Sequence, residues 1–250
     1  MQIKTLDLVV IAICAALYAT FGILTAGLSF FGIGFLPAVV IPAVFAFLFG
    51  PWVGGIGGAI GIFIRDMYVH HIPLLSLAAG VPPNFILFFL IGYIAHRQIS
   101  LKQALAGVTI TAVGLTVPTI IFLPDFLAYT KLSRELFIIA FSSTVILSLV
   151  AIAVVAIRWK EWRSYAISAV VGETMGAGLL SLTVFSISPF FKYYFGVPIP
   201  SYLVFPIFVW LFATELPFIL LLGPPIIKAC QKAFPRLVYK QKSIKDENVT

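Results

Sequence analysis

The chain has 250 residues, 61% of them hydrophobic and 10% charged. A soluble domain is nearer half apolar and a quarter charged, so a water-soluble fold is excluded and the bilayer is the solvent for most of the surface. The formal net charge of +7 does not point to nucleic acid, because no basic patch is interleaved with aromatics on a polar segment.

Eight apolar segments follow in chain order. The first, 6–27, is longer than a signal-peptide core and precedes more membrane, so it reads as a retained helix. Its small residues Ala12, Ala15, Ala16, Ala19, Gly22 and Ala26 fall within an arc of about 120°. Such a face lets a second helix approach closely in a bilayer, and that helix belongs either to this chain or to another membrane subunit. The second segment, 36–49, is short for a span that needs about 20 residues, and Gly50-Pro51 ends it.

The third segment, 52–69, puts Gly54, Gly57, Gly58, Gly61 and Arg65 on one face, with Asp66 about 100° further round. A charge at that depth is costly unless paired or wetted. Arg65 and Asp66 therefore either pair to fix the helix or line a binding cavity. His70-His71 reads as a solvated turn. The fourth segment, 83–96, opens at Pro82-Pro83 and is short as drawn, so it either extends into the flanking loop or does not cross fully. Asn84 at its start caps the helix or touches a ligand.

Segments 103–123, 136–157, 165–187 and 202–229 complete the set. Glu173 and Glu215 are isolated carboxylates in the last two, each placed to bond a neighbouring helix or a ligand. Tyr68 and Trp210 either stack a ligand ring or serve packing and interface. The residues from 235 on are polar, which predicts one membrane domain, 1–234, and a solvated tail, 235–250.

Charge placement sets the topology. With the N-terminus in the cytoplasm, twelve of the 16 Lys and Arg lie inside, leaving Arg65, Lys131, Arg134 and Lys192. The positive-inside rule thus predicts an even number of spans with both termini cytoplasmic, and it fits eight or six. Cys14 and Cys230 lie in different environments, so no disulfide is expected. There is no metal-ligand spacing, no phosphate-binding Gly-rich loop and no hydrolase motif. The expectation is an all-α, multi-pass protein of the cell membrane, without cofactor, metal or catalytic residues.

The stretch 12–66 resembles the substrate-binding (S) component of energy-coupling-factor importers. Three features carry the resemblance: the Ala-x-x-x-Ala pairs Ala12/Ala16 and Ala15/Ala19; the run from Pro37 through Pro42 to the turn at Phe49-Gly50-Pro51-Trp52; and the glycine helix ending in Arg65-Asp66, followed by Asn84 and Gly92-Tyr93-Ile94-Ala95. About the first hundred residues are covered, and the rest matches only in character. The resemblance implies a subunit that captures a vitamin-like small molecule at its outer side. Ala12, Ala15, Ala16 and Ala19 would dock on a coupling transmembrane (T) component that joins two ATPases. Arg65, Asp66 and Asn84 would reach the pocket, and the loop 30–36 would form its lid. Family members commonly have six spans, so eight segments imply an added hairpin, which leaves Glu173 and Glu215 open as pocket residues. A self-sufficient secondary transporter and a ligand-free membrane scaffold are the alternatives.

Overall fold

A computed structural model of the chain describes residues 4–27, 29–30, 33–129 and 134–234; the expected tail 235–250, the centre of the loop 30–36 and Lys131 lie outside them. The architecture is helical apart from one two-residue strand pair. All eight apolar segments are helical: α1 (Thr5–Leu24), α2 (Val40–Phe49), α3 (Pro51–Val69), α5 (Val81–Ile94), α6 (Leu101–Tyr129), α7 (Arg134–Ala153), α8 (Arg163–Ile187) and α10 (Val204–Ala233). Two short helices lie between them, α4 (Pro73–Leu75) and α9 (Lys192–Phe195). The strands β1 (Ser29–Phe30) and β2 (Ile33–Gly34) pair antiparallel in a small hairpin after α1.

Among the described residues, four helical stretches are long and apolar enough to cross a membrane: Thr5–Leu24, Pro73–Ile94, Lys160–Ile187 and Ser201–Ala233. The second bears out the extension of the fourth segment into its flanking loop. α5 starts at Val81 with proline in its first turn, and α4 with a π turn at Ser76–Gly80 carries the helical stretch back to Pro73. Pro82 and Pro83 carry no N–H, so the turn before them lacks its ordinary donors and widens into the i→i+5 pattern. The second segment stays short: Pro37–Phe49 covers about 20 Å, less than the hydrocarbon thickness.

Gly50 links α2 to α3 at φ 98° and ψ 171°, a conformation that is essentially reserved for glycine. The chain therefore reverses sharply, and α3 packs back on α2 and α1. The α3 glycines are contact points. A Cβ on Gly57 would lie 2.7 Å from Cys14 Sγ, and one on Gly61 would lie 2.8 Å from Tyr18 Cδ1 and 3.0 Å from the Ala15 carbonyl oxygen. Ala15, Ala19 and Gly22 are buried in this seam, whereas Ala12 and Ala16 are exposed. The stripe of small residues is thus split, half of it serving contact within the chain.

The main apolar core lies among α2, α5, α8 and α10, around Phe88, Ile91, Tyr165, Phe212 and Leu220. α10 keeps its course despite Pro217, Pro224 and Pro225. Pro217 cannot donate to the Ala213 carbonyl, and Ser148 Oγ of α7 donates to that oxygen instead, at 3.2 Å. Tyr165 Oη of α8 donates to the Ile219 carbonyl at 3.1 Å.

Candidate functional site

Where α3 ends, a cavity of about 90 Å³ opens among α3, the π turn, α5, α8, α9 and α10. Five of the residues singled out from sequence line it together: Arg65, Asp66, Asn84, Glu173 and Glu215. All five are buried, Glu173 to 1% exposure. The walls between them are apolar, with Leu36, Ile62, Leu87 and Leu211 among them.

Asp66 is fully engaged. Its Oδ1 accepts from Arg65 Nη1 at 3.0 Å and its Oδ2 accepts from Ser76 Oγ at 2.8 Å. The π turn brings Ser76 to it, and Gly80 leaves the space its carboxylate occupies, since a Cβ there would stand 2.6 Å from Oδ2. Asn84 is engaged as well. Its Oδ1 accepts from Tyr18 Oη at 2.8 Å and its Nδ2 donates to the Gly80 carbonyl at 2.9 Å. It thus clamps α1 to the π turn, so the helix-capping expectation gives way to an interhelical bond at the cavity wall.

Arg65 is only half engaged. Its Nη1 bonds Asp66 and lies 3.2 Å from His70 Nε2, while Nε and Nη2 are buried with no hydrogen-bond partner. An arginine can only donate, so His70 Nε2 is the acceptor in that contact. The imidazole is then neutral, its proton sits on Nδ1, and Nδ1 donates to Tyr194 Oη at 2.8 Å. Glu173 is a sharper case: both its carboxyl oxygens are buried without a partner. An unpartnered buried polar group costs about 1–3 kcal/mol, and more if it is charged. Folding tolerates such groups chiefly where something else satisfies them.

Two of the predicted residues lie away from the cavity lining. Tyr68 shares the face of Gly54, Gly57, Gly61 and Arg65 but sits in the last turn of α3, where it is 65% exposed. Trp210 does not line the cavity; it packs against the apolar cluster of α8, α9 and α10 around Leu203 and Ile207. The aromatics at the cavity are instead Tyr194 and Phe195 of α9. His70, read as part of a solvated turn, belongs to the polar network, and only His71, at φ 57°, fits the turn description. Of the docking alanines, Ala15 and Ala19 are buried against α3 and Ala12 and Ala16 remain accessible.

The described part of the loop 30–36 lies against the cavity. Gly34 and Leu36 line the cavity, and Phe35 packs edge-on against Phe218 of α10, with ring centroids 5.5 Å apart. A Cβ on Gly34 would collide with Arg65 Nη2, so the hairpin presses directly on the guanidinium. Among the described residues, no group of three or more His, Cys, Asp or Glu is placed to hold a metal ion. The chain matches no family model, no curated protein and no solved structure.

Proposed function

We propose that this chain is the membrane-embedded substrate-capture subunit of an ATP-driven, energy-coupling-factor-type importer for a vitamin-like micronutrient. The observation that carries the reading is the buried cavity with unpartnered polar atoms of Arg65 and Glu173 in its wall. A ligand-free scaffold has no use for that arrangement, because replacing such groups by apolar ones would stabilise it. A pocket closed at one end of the bundle by a hairpin and a short helix suits capture of a small molecule from one side.

In this reading both termini are cytoplasmic, the cavity opens at the outer side, and the chain crosses the cell membrane several times. The added pair of helices is α6 and α7, since the described lining residues come from neither. The other six apolar helices, α1, α2, α3, α5, α8 and α10, form the S-component-like core. Docking on the coupling T component, and through it on two ATPases, falls to the accessible half of the alanine stripe, Ala12 and Ala16.

The test is purification of the intact complex from the native host. Wild-type chain is expected to retain a second membrane subunit and ATPases, and Ala12→Trp with Ala16→Trp is expected to lose them while keeping its ligand. Transport driven by the isolated chain in liposomes along an ion gradient, without ATPases, would instead support the secondary transporter.

A further inference from the structure

The charge inventory of the cavity narrows the chemistry of what it holds. Three carboxyls line it, from Asp66, Glu173 and Glu215, against one guanidinium, Arg65. Asp66 and Arg65 already form an ion pair at 3.0 Å, and the geometry of His70 between Arg65 and Tyr194 makes that imidazole neutral. Glu173 and Glu215 therefore face a space whose described lining residues hold no further cation. Both oxygens of Glu173 lack a donor, so one face of the cavity calls for N–H groups. Across it, Nε and Nη2 of Arg65 lack an acceptor. These two atoms form the side-on fork of a guanidinium, which meets an oxygen or ring-nitrogen edge.

We propose that the cavity takes a small nitrogen cation of the amidine or amine class that also carries an acceptor atom, its N–H groups meeting Glu173 and Glu215 and its acceptor meeting Arg65. The apolar walls between the two polar ends suit a flat ring or a short hydrocarbon linking them. A cavity of about 90 Å³ suits one small molecule. This assignment rests on the substrate-capture reading, and it adds the sign of the charge and its direction within the pocket.

The test uses the purified full-length chain in mild detergent and three ring compounds of equal size: pyridine-3-carboxamidine, a cation; nicotinamide, neutral; and nicotinate, an anion. Thermal shift and calorimetry are read for each. The amidine is expected to bind about tenfold or more tightly than the amide, in line with a charge-assisted pair, and nicotinate is expected not to bind. Glu173→Gln keeps the shape of the side chain and cannot become a carboxylate when a cation binds. It should abolish the preference for the amidine while the ligand-free protein melts at the same temperature or higher, a combination that a purely structural glutamate would not give. Equal or tighter binding of nicotinamide or nicotinate would overturn the cation assignment and leave the capture reading standing. If none of the three binds, the assignment is also overturned. Native mass spectrometry of the chain as isolated then decides the capture reading separately, through the presence or absence of a retained small molecule.

Discussion

At the residue scale the site is a set of polar groups in which some are satisfied and some are not. Asp66 and Asn84 have partners on every side that the structure describes, and they hold α1, α3 and the π turn together. Arg65 and Glu173 have unspent hydrogen-bonding capacity. Arg65→Lys keeps the charge and loses the planar fork, so ligand affinity should fall about tenfold or more with little change in melting temperature, as calorimetry on the two proteins would show.

His96, in the turn after α5, tests a different balance. Burial holds it below the ordinary imidazole value near 6.5, opposed by its bond to the Phe47 carbonyl at 2.8 Å. Its folded form thus resists protonation where the unfolded chain is already protonated. The stability it contributes is present above about pH 6.5 and is lost as pH falls below that value. Melting temperature should drop between pH 7 and pH 5, and His96→Gln should flatten the drop. Much of this scale was legible in the sequence. Glycine spacing placed Arg65 on a packed face, and isolated charges in apolar runs marked Glu173 and Glu215. His70 and Tyr194 were not legible, because their bond joins residues 124 apart in sequence and neither stands out in its own segment.

At the element scale the fold depends on a few backbone devices. Gly50 lets α2 reverse into α3, and an alanine there must adopt a conformation that costs about 1–3 kcal/mol. Gly50→Ala should therefore lower the melting temperature. Ser148 supplies the donor that Pro217 withholds from Ala213. Ser148→Ala leaves a buried carbonyl unbonded and should cost about 1–3 kcal/mol, measurable by chemical denaturation in detergent micelles. The eight apolar segments and the Gly50-Pro51 break were readable from composition and turn chemistry. Pro82 and Pro83 mark the first turn of α5, as adjacent prolines usually do. The π turn before them was not legible, because Ser76–Gly80 carries no turn signal of its own, and Asn84 bonds the Gly80 carbonyl within it.

At the scale of the whole molecule, α1 presents two faces with different tasks. Ala15 and Ala19 pack on α3, while Ala12 and Ala16 face outward beside exposed Leu8, Ile13 and Leu17. Ala15→Trp should therefore destabilise the folded chain, because overpacking a tight seam costs about 1–3 kcal/mol. Ala12→Trp with Ala16→Trp should leave melting temperature and ligand binding unchanged and abolish coupled transport. Sequence spacing placed all four alanines on one broad face but could not divide it, because burial on that face depends on where α3 lies, and α3 is set by the reversal at Gly50.

The most direct test of the account is native mass spectrometry of the full chain purified from its native host in mild detergent. The account predicts a stoichiometric small molecule bound to the wild-type chain and its loss from Glu173→Gln. A wild-type chain that carries lipid alone, and remains so after incubation with extract of the host's growth medium, would contradict it.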